Sequence, residues 1–308
     1  MSRIHEALKR AQEERAAQGN RSTLPPLMDI PRFEDTLPPD AFRTSATQDV
    51  PAAILPPVAD SAAPAPDPSL TDSILQGCVH ADWHPDVESM LFFNPDERAA
   101  GTEEFRTLRS SLHQLREKMP LKKILVTSAL PQEGKSFIAA NLAQVLVRQP
   151  GRKALLMDTD LRAAHLHAYL GTAATPGISE FLLRENDEVS ILQRGSAENL
   201  FFIPCGRPIS SPAELIANGR LGVLLQRLEP LFDWIILDSP AAALVPDVRE
   251  LLTYCDGVLM VVRSRATPVE AAKRARLEFG NKPLLGVVMN ATGGPAVDPK
   301  VTRVVRKG

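Results

Sequence analysis

The chain has 308 residues, of which 44% are hydrophobic and 23% charged, and its formal net charge is −2. This composition is globular, and the charge excludes a strong whole-molecule attraction to nucleic acid. The cysteines, Cys78, Cys205 and Cys255, form no CxxC pair, which excludes a disulfide framework and favours a reducing compartment. Apolar runs are far shorter than the roughly 18 residues of a membrane span, so we expect a cytoplasmic protein.

The first 95 residues differ in composition from the rest. A short polar helix is predicted within residues 1–20; its narrow apolar stripe is either solvated or docks on a partner. Thirteen of the 27 prolines, but only one glycine, lie in residues 21–100. We therefore predict a disordered, proline-rich linker over residues 21–95 and a folded domain over residues 96–308.

Helix signals return after the predicted linker. Thr102 is predicted to cap a helix that buries an apolar stripe beginning at Phe105. Glu103, Arg106 and Arg109 follow one another at intervals of three on a different face. These charges are either solvated or form a contact with a neighbouring copy of the chain.

Beyond residue 122, short apolar runs alternate with helical segments. The predicted strands are Ile124–Ser128, Ala154–Asp158, Leu200–Pro204, Trp234–Asp238, Val258–Arg263 and Leu285–Asn290. Each is a continuous apolar run rather than an alternating one, which is typical of a parallel sheet covered by helices on both faces. We therefore predict an α/β, doubly wound, mostly parallel sheet.

The first of these strands leads into SALPQEGKS, residues 128–136, and a helix follows. A strand, a tight loop, Gly-Lys-Ser and a helix form the phosphate-binding loop of P-loop nucleotide-binding proteins. Gly134 lets the backbone approach the phosphates, Lys135 contacts the β- and γ-phosphates, and the Ser136 hydroxyl binds magnesium. Backbone N–H groups surround the remaining phosphate oxygens. The predicted nucleotide contacts in this segment are Gln132, Glu133, Gly134, Lys135, Ser136 and Phe137.

Carboxylates follow two other predicted strands. Asp158 and Asp160 end the run LLMDTD, and Asp238 ends WIILD. In a parallel sheet the carboxyl ends of the strands meet at one edge, where ligands bind. These side chains are therefore predicted to surround Mg²⁺·ATP and to set a carboxylate beside an attacking hydroxyl.

Several motifs occur in order between residues 103 and 292. They are EEFRTLR (103–109), SALPQEGKS (128–136), LLMDTDLR (155–162), GRPISSPAELI (206–216), DWIILDSPA (233–241) and GVVMN (286–290). Together they resemble the bacterial tyrosine kinases (BY-kinases) of capsule and exopolysaccharide biosynthesis, in the cytoplasmic form without a fused membrane domain. The resemblance implies a SIMIBI-like P-loop ATPase fold that uses ATP and Mg²⁺.

The resemblance also implies roles for individual residues. Lys135, Asp158 and Asp160 are the expected catalytic residues, with Asp158 accepting or orienting the hydroxyl proton. Arg162 of the LLMDTDLR segment, called Walker A′, is expected at the nucleotide and Asn290 at the adenine. The expected magnesium ligands, direct or through water, are Ser136, Asp160 and Asp238.

The chain departs from the family pattern at several places. Ala129 and Gln132 replace loop glycines, and Ala241 replaces a proline after the Walker B aspartate. A side chain at position 132 crowds the phosphates if that residue needs a positive φ. Family members carry a tyrosine cluster in the tail, but here the only tyrosines are Tyr169 and Tyr254.

Three functions compete on these grounds. The first is an ATP-dependent protein-tyrosine kinase, a transferase whose substrate is another protein. The alternative is a nucleotide-switched assembly ATPase without tyrosine kinase activity, which the missing tyrosine cluster favours. A ParA/MinD-type partitioning ATPase ranks last, because Leu130 stands where that group needs a lysine.

The resemblance implies two kinds of protein partner and no nucleic acid. Homo-oligomers are expected through Glu103, Arg106 and Arg109. A membrane polysaccharide co-polymerase is expected to activate the chain. We therefore expect a cytoplasmic protein that is recruited peripherally to the inner membrane.

Overall fold

A computed structural model of the chain describes residues 68–94, 101–243 and 245–290 and the backbone of residues 304–305. The predicted helix within residues 1–20 and the first two thirds of the predicted linker lie outside the described residues. Within them, no helix combines the length and apolarity needed to cross a membrane.

The described strands form one nine-stranded sheet in the order β1-β4-β5-β3-β6-β2-β7-β8-β9. All neighbouring pairs are parallel except β4 with β5 and β8 with β9. The strands are β1 Val79–His80, β2 Lys123–Ser128, β3 Ala154–Asp158, β4 Gln193–Arg194, β5 Leu200–Ile203, β6 Trp234–Asp238, β7 Gly257–Arg263, β8 Leu284–Asn290 and β9 Val304–Val305. The doubly wound, mostly parallel sheet predicted from the apolar runs is confirmed, and all six predicted strands are present.

Helices cover both faces of the sheet. They are α1 Pro68–Gly77, α2 Thr102–Arg116, α3 Lys135–Val147, α4 Leu166–Leu170, α5 Ile178–Leu182, α6 Glu188–Ile191, α7 Pro212–Ala217, α8 Arg220–Leu228, α9 Asp247–Tyr254 and α10 Val269–Glu278. Successive side chains of a strand point to opposite faces, so a strand buried on both sides needs apolar residues throughout. In β2, Leu125 packs into the core on one face, and its neighbours Ile124 and Val126 pack into the core on the other.

The start of α2 differs from the prediction. Gly101, with φ of 100°, is the N-cap, and Thr102 is the first helical residue and is buried. The predicted cap at Thr102 is therefore wrong by one position, because a left-handed glycine turns the chain into the helix. The predicted apolar stripe is confirmed from Phe105 to Leu112.

Residues 68–94, which the composition assigned to the disordered linker, are folded onto the domain. β1 pairs with β4, and the Trp83 side chain is buried against Phe202. A Cβ atom added to Gly195 would lie 2.0 Å from the Trp83 ring, so this contact needs a glycine. Pro85 alone interrupts residues 69–94, and this thinning of the prolines was the signal that the composition average concealed.

Asn141 joins this N-terminal segment to α3. Its side chain, fully buried, accepts a hydrogen bond from the Leu91 N–H (2.8 Å) and donates to the Ser89 carbonyl (2.8 Å) and the Phe137 carbonyl (2.9 Å). A buried amide is tolerated in a core when its polar atoms are paired in this way. The segment is thereby attached to the helix that begins at Lys135.

Candidate functional site

The predicted site residues meet at the carboxyl edge of the parallel sheet. β6 lies between β3 and β2, and Asp158 of β3 stands directly opposite Asp238 of β6 in the register. The phosphate loop leaves the end of β2 at Ser128 and leads into α3. Strand order therefore sets both carboxylates beside the loop, as the continuous apolar runs predicted.

The loop uses two left-handed residues to turn into α3. Gln132 has φ of 61° and Gly134 has φ of 90°. For Gln132, which is exposed, this conformation costs on the order of 1 kcal/mol relative to glycine. The positive φ at position 132, on which the expected crowding of the phosphates depends, is therefore present. A side chain at Gly134 would be strained, because its φ is positive and an added Cβ would lie 2.1 Å from Nδ2 of Asn290, which would have to move.

Glu133 points into the protein. Its side chain is 3% exposed. One carboxylate oxygen accepts a hydrogen bond from the Leu130 N–H at 2.8 Å, and the other accepts one from the Thr267 hydroxyl. The carboxylate therefore holds the loop from the protein side. Of the groups of Glu133, only the backbone can contact phosphate.

Lys135 and Ser136 occupy the first turn of α3. The Lys135 ammonium lies 3.1 Å from Oδ2 of Asp160, and both side chains are largely buried. Burial alone would lower the pKa of Lys135, but the charges of Asp238 and Asp160 outweigh it and raise that pKa. Lys135 thus stays protonated and carries a positive charge at the loop. Ser136 is buried, and the Phe137 ring packs 6.0 Å from the ring of Phe105.

Asp158 and Asp238 are buried carboxyl groups with unfilled acceptor capacity. Oδ2 of Asp158 accepts hydrogen bonds from the backbone N–H groups of His165 (3.2 Å) and Leu166 (3.1 Å), whereas its Oδ1 has no partner. Neither oxygen of Asp238 has a well-formed hydrogen bond, although the nearby Ser136 hydroxyl lowers its pKa. Burial is the main reason that the pKa of each carboxyl is raised, and the neighbouring carboxylates raise both further.

These unpaired oxygens fit a magnesium ion bound with nucleotide. Buried carboxylate oxygens without partners are costly unless a cation satisfies them. In the described part of the chain, no group of three His, Cys, Asp or Glu side chains has the geometry of a complete metal site. Mg²⁺ is usually held by one or two protein ligands together with substrate phosphates and water, which Ser136 and Asp238 can supply.

Two residues predicted to contact the nucleotide, Arg162 and Asn290, are bonded to other residues of the chain. Arg162 makes a two-pronged salt bridge to the fully buried Asp247, with N–O distances of 2.7 and 3.0 Å. Asn290, at the end of β8, donates from Nδ2 to the Glu133 carbonyl at 3.0 Å. Asp160 likewise accepts the Ala163 N–H (3.0 Å) in addition to its contact with Lys135. Contacts of Arg162 with nucleotide and of Asn290 with adenine therefore stay predictions.

The predicted oligomer residues lie on α2, and Arg106 pairs with Glu103 within the same helix. Arg109 donates from Nη1 to the Val145 carbonyl at 3.1 Å.

Both tyrosines of the sequence, Tyr169 and Tyr254, are half-buried in helices. Sequence reasoning missed Thr267 and Asp247, and no motif marked them.

No protein-family model matches the chain. It is 32% identical over 197 residues to the tyrosine-protein kinase YwqD of Bacillus subtilis (strain 168), a match that covers 63% of this chain and 83% of that protein. It is also 32% identical over 203 residues to the putative tyrosine-protein kinase EpsB of Ralstonia nicotianae (strain ATCC BAA-1114 / GMI1000). That second match covers 65% of this chain but only 26% of the longer protein.

Solved structures agree with the fold. The chimerical protein CapA2B2 superimposes with a TM-score of 0.63 at 26% identity, covering 72% of this chain and 99% of that structure. The kinase domain of the Escherichia coli tyrosine kinase ETK gives a TM-score of 0.60 at 23% identity, covering 76% of this chain and 97% of that structure. The comparisons favour a kinase-like protein over the alternative of an assembly ATPase. With the loop, the paired strand-end carboxylates and a relative matched over most of its length, the chain belongs to the bacterial tyrosine kinase (BY-kinase) family.

Proposed function

We propose that the chain transfers the γ-phosphoryl group of Mg²⁺·ATP to a tyrosine of another protein in capsule or exopolysaccharide biosynthesis. The observation that carries this proposal is the convergence of Lys135, Asp158 and Asp238, with three buried carboxylate oxygens that have no well-formed hydrogen bond. Such oxygens need a cation or a proton donor, and a phosphoryl-transfer site supplies both.

The geometry supports distinct roles for these residues. Asp158 is held through Oδ2 by two backbone N–H groups, so its Oδ1 can accept the proton of an incoming tyrosine hydroxyl. Lys135 stabilises negative charge on the transferred group, and the loop N–H groups orient the phosphates. When bound, magnesium adds charge neutralisation at the β- and γ-phosphates; Ser136 and Asp238, with Asp160, are the residues that would hold it.

The tyrosine substrate belongs to a different protein in this proposal. Tyr169 and Tyr254 are half-buried within α4 and α9. A half-buried tyrosine within a helix cannot enter the site of another molecule without local unfolding, which costs free energy. The names of the relatives support a tyrosine acceptor in general, and the positions of these two residues favour an external one.

The test is incubation of the full chain with γ-labelled ATP and Mg²⁺, with and without the cytoplasmic part of a polysaccharide co-polymerase, followed by phosphoamino-acid analysis. We expect labelled phosphotyrosine on the added protein. ATP hydrolysis with no phosphotyrosine on any protein would contradict the kinase proposal.

Self-association is proposed through Glu103, Arg106 and Arg109 of α2. Arg106 already pairs with Glu103, and such an exposed pair can exchange for one between subunits at little cost. The double variant Arg106→Ala, Arg109→Ala is expected to give a smaller species than the wild type in light scattering with Mg²⁺·ATP. A wild-type chain that is already monomeric under these conditions would refute the proposal.

We also propose a cytoplasmic location with peripheral recruitment to the inner membrane by a co-polymerase partner. The match covers only 26% of the length of two EpsB relatives, and the rest of those proteins suggests the kind of sequence that a recruiting partner would have. Cell fractionation should find the chain at the membrane only when the partner is expressed. Membrane attachment of the same extent without the partner would instead indicate direct lipid binding.

A further inference from the structure

The segment between β7 and α10 contacts the phosphate loop through a residue that belongs to none of the sequence motifs. This residue is Thr267, which is half-buried. Its hydroxyl donates to one oxygen of Glu133, and the other oxygen of Glu133 accepts the Leu130 N–H at 2.8 Å. A chain of two hydrogen bonds thus runs from residue 267 through a buried carboxylate to the loop backbone.

The direction of the Thr267 hydrogen bond is set by its surroundings. The hydroxyl oxygen accepts the Arg263 N–H at 2.7 Å, so its single proton is available for the Glu133 carboxylate. The Thr267 N–H in turn donates to the Arg263 carbonyl at 3.0 Å. These bonds hold the 263–267 turn together and fix the orientation of the Thr267 hydroxyl.

The same turn holds a second contact with the loop. The Ser264 N–H donates to the Asn290 carbonyl at 2.8 Å, and the Asn290 side chain donates to the Glu133 carbonyl at 3.0 Å. The side chain and the backbone of Glu133 are therefore both held from the β7–β8 side of the site. Glu133 lies between Gln132 and Gly134, the loop's two left-handed residues.

We infer that Thr267 is a positioning residue for nucleotide binding, which acts through Glu133 to hold the phosphate loop in its binding shape. The inference rests on the proposed function and adds to it a residue outside the family motifs. A buried carboxylate that loses its hydroxyl donor is left partly unpaired and shifts, and the Leu130 N–H shifts with it. Because a preformed loop lowers the cost of binding, this shift weakens nucleotide affinity without removing any group that touches the reacting atoms.

The test compares Thr267→Val, which keeps the side-chain shape but lacks the hydroxyl, with Thr267→Ser, which keeps the hydroxyl. Calorimetric titration of the full chain with Mg²⁺·ADP should give a Kd about tenfold higher for Thr267→Val, the scale of one hydrogen bond to a charged group. Thr267→Ser should bind within about twofold of wild type by the same reasoning. Thr253→Val, at an exposed threonine on α9, is the matched control.

Two further readouts separate positioning from general damage. In the phosphotransfer assay, the KM for ATP should rise in Thr267→Val while kcat stays within about twofold of wild type. Hydrogen exchange at the Leu130 amide should be faster in Thr267→Val, with the β2 amides unchanged. Thr267→Ala serves the same comparison if the valine methyl group disturbs the turn.

Unchanged ADP affinity in Thr267→Val, or an equal loss in Thr267→Ser, would overturn the inference. So would a fall in kcat with an unchanged KM, because that pattern belongs to a group acting at the transition state. A wild-type chain that binds ADP but transfers no phosphate would refute the proposed function and leave this inference standing. A wild-type chain that binds no nucleotide would refute both.

Discussion

Lys135→Met is expected to reduce phosphoryl transfer from ATP by a factor of about 10² to 10³, the loss caused by removing one preorganised donor from an active site. The Lys135 ammonium lies 3.1 Å from Asp160 and keeps its charge because carboxylates surround it. Methionine has a similar length and no charge, so the packing of α3 is retained. Rates of labelled phosphate transfer at saturating ATP measure the effect.

Lys118→Met is the matched control for this experiment. Lys118 is exposed just after α2, so its replacement should leave the rate within the usual range of a surface change, about twofold. Both variants should retain the wild-type thermal midpoint within a few degrees. A Lys135→Met chain that turns over ATP at the wild-type rate would invalidate the phosphate-loop assignment.

Asp238→Asn is expected to abolish phosphoryl transfer and, at the same time, to stabilise the nucleotide-free protein. The activity loss follows from removing a charge proposed to hold magnesium, with an effect of about 10²-fold or more. The stabilisation follows because Asp238 is fully buried opposite Asp158, without a well-formed hydrogen bond. Lys135 does not become an unpaired charge, since Asp160 remains 3.1 Å away.

The stabilisation should depend on pH with a definite sign. Burial raises the pKa of Asp238 from 3.8 to about 8, so the folded state binds more protons than the unfolded state between these values. The free energy of unfolding of the wild type therefore falls as the pH rises through this range, whereas an amide does not titrate. The gain in Tm for Asp238→Asn over wild type should be larger at pH 8 than at pH 5.

Thermal unfolding of both chains without nucleotide or Mg²⁺ measures this difference. Asp256→Asn provides a contrast, because that carboxylate accepts hydrogen bonds from the Lys122 and Lys123 N–H groups at 2.8 and 2.7 Å. Its replacement should therefore lower the Tm. A lower Tm for Asp238→Asn than for wild type at pH 8 would contradict the inference that the buried Asp238 carboxyl destabilises the nucleotide-free protein.

The local sequence was enough to predict those parts of the site whose position depends only on where a parallel strand ends. A continuous apolar strand must be buried on both faces, and its carboxyl end must lie at the ligand-binding edge. For that reason the amino-acid sequence is enough to assign Asp158, Asp238 and the SALPQEGKS loop to one site. The positive φ of Gln132 could also be predicted, because the loop motif ordinarily has glycine there and glycine adopts such a backbone without strain. That the Gln132 side chain crowds the phosphates stays a prediction.

Contacts between distant segments could not be predicted in this way. Thr267 reaches Glu133 across 134 residues of sequence, and Asp247 captures Arg162 across 85, yet neither belongs to a local pattern. The folding of residues 68–94 was hidden for the same reason, since Trp83 is buried only because Gly195 leaves room for its ring.

The sequence by itself determined the class of sheet, the phosphate loop and the acidic residues at the strand ends, because periodicity and chain direction are local properties. Only the tertiary structure decided that Glu133 faces inward, that Arg162 is paired with Asp247 and that the N-terminal segment is attached through Asn141. Each of these depends on which partner reaches a buried polar group, and that is decided when the whole chain packs.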